Sequence, residues 1–138
     1  MTSTAAAWLL KTEPSSYSFA DLARDGRARW DGVANPVALA NLRRARLGDP
    51  CVLYHPGKEK AAVGTATIAR AAYRHPDDAG DWVVDLEAGA ALARPVTLAE
   101  LKADPAFAAC PLVRQGRLSF VPLTREEHAR LLALAASR

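Results

Sequence analysis

Every apolar run in this chain is short, and turn chemistry cuts each one off before it can lengthen. Residues 6–10 (Ala-Ala-Trp-Leu-Leu) run into Lys11 and then Glu13-Pro14-Ser15-Ser16, and residues 52–55 run into Pro56-Gly57-Lys58-Glu59-Lys60. Residues 118–123 give way at once to Thr124. Brief apolar segments bounded by Gly, Pro and charge are strand signals. None approaches the roughly 20 apolar residues of a membrane-spanning helix. Further strands are expected at 29–30, 61–73 and 82–87, with a polar surface loop at 75–81.

Helix signals lie between these strands without alternating regularly with them. Ser18 is placed to cap a helix over 19–25 that Gly26 ends. Asn35-Pro36 is an N-cap and first-turn pair, followed by Val37, Leu39 and Leu42 at helical spacing and by Arg43, Arg44 and Arg46 at the C-terminal end. Thr97-Leu98-Ala99-Glu100 and Thr124-Arg125-Glu126-Glu127 are capping boxes. The first opens a short helix limited by Pro105, and the second opens an amphipathic helix carrying Leu131, Leu132 and Leu134. Short strands interrupted by short helices predict an α+β fold, built on a curled, mostly antiparallel sheet that closes toward a small barrel.

A chain of 138 residues, half of them hydrophobic, has the size of one compact domain. We expect a short tail over residues 1–5 and a single domain over 6–138. Cys51 and Cys110 stand far apart with no metal-ligand spacing, so neither a zinc site nor a disulfide framework is expected. With no signal-peptide pattern at the N-terminus, the expected location is the cytoplasm. The net charge of +3 is a mild basic bias compatible with nucleic acid. Only Lys11, Lys58, Lys60 and Lys102 are lysines, and the other basic residues are arginines. Arginine suits phosphate, but abundant Arg beside abundant Ala is first of all what GC-rich coding produces.

Four segments then resemble, in order, one known family. They are Trp8-Leu9-Leu10-Lys11-Thr12-Glu13-Pro14, Trp30-Asp31-Gly32-Val33, the stretch 54–64 (Tyr-His-Pro-Gly-Lys-Glu-Lys-Ala-Ala-Val-Gly), and Arg117-Leu118-Ser119. Together they resemble the EVE domain family, in its thymocyte nuclear protein 1-like group. The resemblance implies a PUA-like open β-barrel with flanking short helices, no cofactor and no metal. It also implies a non-catalytic role in recognising a modified base in DNA or RNA, with a monomer as the default state. The chain departs from the commoner family pattern where Ala34, Pro36 and Val37 follow Trp-Asp-Gly-Val, and at Pro56, where Ser or Thr is frequent.

The candidate base-binding residues are Trp30, Asn35, Lys11, Thr12, Tyr54, His55 and Gly57; the candidate phosphate contacts are Lys58, Lys60 and Arg117. An indole offers a π face to a base that has left its stack, although a tryptophan met without context is more often core. Asn35 carries both a donor and an acceptor for a base edge, and its competing use is the N-cap. Gly57 allows close backbone approach. Exposed lysines on a turn usually serve nothing more than solubility. Ser119 either lines or braces the site.

Two other classes compete. The C-terminal helix could serve a small-molecule or protein-interaction module, but its leucine stripe is what any packed helix presents. A hydrolase would have to use His55, with Glu59 as the least implausible partner; His75 and His128 form no pair, and no phosphate-binding Gly-rich loop is present.

Overall fold

The computed structural model describes residues 5–136. Residues 1–4 of the expected tail and the last two residues of the expected domain lie outside the described residues. The strands are β1 (Ala7–Lys11), β2 (Arg27–Trp30), β3 (Pro50–His55), β4 (Ala61–His75), β5 (Asp78–Thr97) and β6 (Phe120–Leu123). The helices are α1 (Phe19–Asp25), α2 (Pro36–Arg44), α3 (Leu98–Ala103), α4 (Pro111–Arg114) and α5 (Arg125–Ala136), with a 3-10 turn at Pro105–Phe107.

All six strands share one sheet in the order β2-β5-β4-β3-β1-β6. Only β1 and β3 run parallel. A parallel pair needs a crossover, and the chain supplies one from α1, β2 and α2. The fold is therefore mixed α+β and mostly antiparallel, with the sheet curled but open. Register shifts along β3–β4 and β4–β5 bend the strands. The edges are blunted by exposed Arg27 and Arg29 on β2 and by Pro122 in β6.

Local chemistry sets the helix starts as the sequence predicts. Ser18 and Asp21 form a capping box on α1, and Thr97 and Glu100 form one on α3. On α5 the Thr124 hydroxyl accepts from the Glu127 N–H at 3.1 Å, while the Glu127 carboxylate accepts from the Thr124 N–H at 2.9 Å. Strand β5 differs from expectation. The loop expected at 75–81 shrinks to a turn at Pro76-Asp77, and the strand runs on well past Glu87 through an Ala-, Gly- and Pro-containing stretch. Apart from Val96 and Thr97 at its end, little in that stretch intrinsically favours a strand. Pairing with the long β4 imposes it, because strand preference is mainly a preference for a neighbour.

The core lies between the sheet and its helices and includes Trp8, Leu9, Leu10, Leu42, Leu53, Ile68, Leu86, Phe107 and Phe120. Cys51 belongs to it, as expected of a small apolar side chain. Burying side chains of this size contributes roughly 1.5–3 kcal/mol each. Among the described residues no helix is long and apolar enough to cross a membrane.

Candidate functional site

The turn after β1 builds one wall of a cleft. The N–H groups of Ser16 and Tyr17 both donate to the Glu13 carbonyl at 2.9 Å, and the Thr12 hydroxyl donates to the Tyr17 carbonyl at 2.6 Å. Ser18 then caps α1, so Tyr17 leaves the turn in a fixed direction. Its phenol donates to Asp25 at 2.8 Å. Burial, together with that bond, pushes the Tyr17 pKa up to about 12, so the ring stays a neutral phenol.

The opposite wall comes from the edge of the sheet. Residues of β2 alternate in exposure, and Trp30 ends the strand opposite Val84 with its side chain turned inward. Gly32, at φ 76°, then turns the chain in a way that other residues adopt reluctantly. Trp30 as a whole residue is 8% exposed. It meets Tyr17 edge-on, with ring centroids 6.4 Å apart and planes at 76°. Between these walls lies a cleft of about 410 Å³, lined by Trp30, Tyr17, Thr12, Lys11 and Ser119 among others. That volume falls in the range of small-molecule sites, roughly 300–1,000 Å³. Trp30 is thus both a core residue and a cleft wall.

The expected site residues divide into groups. Trp30, Lys11 and Thr12 come together in the cleft. Tyr54, Gly57 and Lys60 line a separate hollow of about 260 Å³, and Lys11 stands in the wall of both cavities. Asn35 lies outside both; its side-chain oxygen accepts from the N–H groups of Val37 and Ala38 at 2.9 and 3.0 Å, which is the N-cap use. Lys58 and Arg117 are exposed and line neither cavity, whereas Ser119 lines the cleft.

His55 also lines neither cavity. Its Nδ1 contacts Glu59 at 2.7 Å, and its Nε2 accepts from the Phe19 N–H at 3.0 Å. The ring is therefore the Nδ1–H tautomer, donating to Glu59. The acid–base pair that the sequence singles out does form, but His55 is buried while Glu59 is exposed, and the ring spends Nδ1 on Glu59 in the turn after β3 and Nε2 on the start of α1. Among the described residues, no three His, Cys, Asp or Glu side chains converge as a metal site would require.

Tyr17 is the site residue that sequence reasoning misses. The available signal was its position immediately before an N-cap serine, where an apolar side chain commonly fixes how the chain enters the helix. Arg29 and Asp31 line the cleft as well, because they flank Trp30.

Comparison with known proteins identifies the family and the fold. The EVE domain family model matches residues 6–134. Thymocyte nuclear protein 1 of Homo sapiens is 31% identical, over 92% of this chain and 72% of the human protein. A solved structure from Rhodopseudomonas palustris superposes with a TM-score of 0.88 at 38% identity, covering 94% of this chain and 92% of that one. Human thymocyte nuclear protein 1 in complex with 5-methylcytosine-containing DNA superposes with a TM-score of 0.86 at 28% identity, covering 96% of this chain and 98% of that one. These matches cover the turn, the edge strand and the segment around Ser119 that form the cleft. The chain belongs to the EVE domain family.

Proposed function

We propose that this chain is a non-catalytic binding module that recognises one nucleobase, modified where its partner carries the modification, in DNA or RNA through the Trp30–Tyr17 cleft. The observation that carries the reading is the pair of aromatic rings bordering a base-sized space. A base taken out of its stack loses π contact, and aromatic walls restore it, at roughly 1–3 kcal/mol per base.

The polar rim narrows the class of base. The Thr12 hydroxyl hydrogen is committed to the Tyr17 carbonyl, so its oxygen faces a ligand as an acceptor. Glu13 and Asp31, also in the lining, add acceptors. Arg29, Ser16 and Ser119 in the same lining can donate, so the lining suits a base edge that offers both an exocyclic amino group and an acceptor, as cytosine and adenine do. The complex of human thymocyte nuclear protein 1 with 5-methylcytosine-containing DNA points the same way. Asn35 serves as the N-cap of α2 in this reading, and His55 as the tie between β3 and α1, which leaves no free histidine nitrogen there for hydrolysis.

The test is titration of single-stranded oligonucleotides, carrying either cytosine or 5-methylcytosine, against the wild type, Trp30→Phe and Trp30→Leu. Leu keeps an apolar filler but removes the π face, and should weaken binding about 5- to 150-fold, while Phe retains part of it. Equal and weak binding by the wild type and Trp30→Leu would dismiss the reading.

A further inference from the structure

The hollow beside the cleft has a composition of its own. Its charged lining residues are all lysines: Lys11, Lys60 and Lys102. None of the three forms an ion pair among the described residues. Glu13, whose carboxylate lies beside Gly57, belongs to the cleft lining and not to that of the hollow. The floor is apolar, with Leu112 and Tyr54 buried and Leu98 and Val113 half-buried. Unpaired cations around an apolar floor attract an anion that carries a hydrophobic body.

Lys11 links the two cavities. The residue lines the cleft, and its ammonium donates to the Gly116 carbonyl at 2.9 Å and lies 5.7 Å from the centroid of the Tyr54 ring. Both of these contacts belong to the hollow. The half-buried ammonium is partly stripped of water, and burial lowers its pKa. Such a group gains more from an anion than an exposed lysine does.

Lys60 stands at φ 46°, a left-handed conformation that costs a residue with a side chain roughly 1–2 kcal/mol. The Leu98 N–H donates to its carbonyl at 2.8 Å, which ties the turn before β4 to the start of α3. That tie brings the lysine of the turn and the lysine of the helix to one hollow. Lys102 would complement the C-terminal end of α3 in any orientation, so its place in the same lining as Lys11 and Lys60 is a separate fact.

We infer that this hollow is a second subsite, holding the phosphate of the nucleotide next to the base in the cleft, with that nucleotide's sugar against Leu98 and Val113. The inference rests on the proposed function, because the two cavities share Lys11 and one strand would cross it. The ligand chemistry is a phosphate ester on an apolar body, and its source is either the bound strand or a free nucleotide.

The experiment measures binding of an eight-nucleotide single strand with one central 5-methylcytosine, and of the same strand with each phosphate in turn replaced by a neutral methylphosphonate. The proteins are wild type, Lys60→Ala/Lys102→Ala and Trp30→Leu, with thermal unfolding of each as the check on folding. We expect one methylphosphonate next to the modified base to weaken the wild type roughly fivefold. The double lysine variant should lose a similar factor, become indifferent to that one substitution, and show a salt slope smaller by about 0.7. Loss spread evenly over all phosphates, or no loss, overturns the subsite. Lysine-dependent binding of a nucleoside monophosphate with lysine-independent binding of the strand overturns its assignment to the strand. If Trp30→Leu binds as tightly as wild type while the lysine effects persist, the base reading fails and the phosphate subsite stands.

Discussion

Gly64→Ala tests how tightly the start of α1 is packed against β4. A Cβ at Gly64 would lie 2.5 Å from Cδ1 and 2.6 Å from Cζ of Phe19, with Cε1 closer still. The ring has little room to withdraw. Phe19 is buried, it opens α1 directly after the Ser18 cap, and its N–H is bonded to His55. Overpacking of this kind typically costs about 1–3 kcal/mol, and three ring carbons in contact place this case near the upper end. Replacing a strand glycine returns roughly 0.7 kcal/mol through the unfolded chain. The net expectation is about 2 kcal/mol of destabilisation, or on the order of 7 °C in Tm for a domain of this size. Urea unfolding of wild type, Gly64→Ala, Phe19→Leu and the double variant measures it. The smaller side chain at position 19 should absorb much of the effect, giving a coupling of about 1 kcal/mol. A Gly64→Ala change below about 0.5 kcal/mol, or an equal cost in both backgrounds, would refute the argument.

Asn35→Ala should lower stability by about 1 kcal/mol, whereas Asn35→Asp should be nearly neutral because it still caps α2. If Asn35→Asp keeps its stability but loses oligonucleotide binding, the amide contacts the ligand after all. Glu100 has its pKa lowered from the ordinary 4.5 to about 2, first by the hydrogen bonds from Arg94 and then by the Thr97 N–H. Since the folded value is depressed, its contribution is complete above pH 4.5 and is lost as pH falls toward 2, so Glu100→Gln should flatten the stability profile in that window. An unchanged acid limb in urea titrations would contradict this. Burial raises the pKa of the Cys51 thiol and pushes that of Cys110 up to about 11, and both side chains are enclosed. Neither should react with a disulfide reagent at pH 8 until denaturant is added, and rapid labelling of the native protein would show that one of them is accessible.

Much of the fold was legible because it is written locally. Caps at Ser18, Asn35, Thr97 and Thr124 depend on one side chain and the backbone two or three residues ahead, so short sequence windows contain them. The length of β5 was not legible, since its later half is held by residues of β4 far away in sequence. α4 was missed for a different reason: a single turn after Cys110-Pro111 with no side-chain cap carries little local signal. The same division runs through the site. Trp30, Lys11 and Thr12 could be picked out from short motifs, but the separation of Tyr54, Gly57 and Lys60 into a hollow on the other side of Lys11 could not. Tyr54 pairs with Lys11 in the sheet and Gly57 lies beside Glu13, and yet both open onto the other cavity.

The two cavities differ in what holds their side chains, and that difference bears on how binding free energy would divide between them. In the cleft each wall is tied before any ligand arrives. Tyr17 is held by Asp25 and through its carbonyl by Thr12, the start of α1 is bonded to His55, and Trp30 is packed into the core. Ordering these groups has already been accomplished by folding, so a flat ligand entering there meets little further entropic cost. The ring face and the acceptor oxygens keep fixed positions, which is the condition for discriminating one base edge from another. Around the hollow, Lys60 and Lys102 are exposed and make no ion pair among the described residues. Holding them on a phosphate would cost side-chain entropy, and salt would screen the gain. Specificity should therefore follow Trp30 and be nearly independent of ionic strength, while salt-dependent affinity should follow the lysines. If the chain reads bases as proposed, that separation would let attachment to any backbone be tuned without altering which base the rigid cleft accepts.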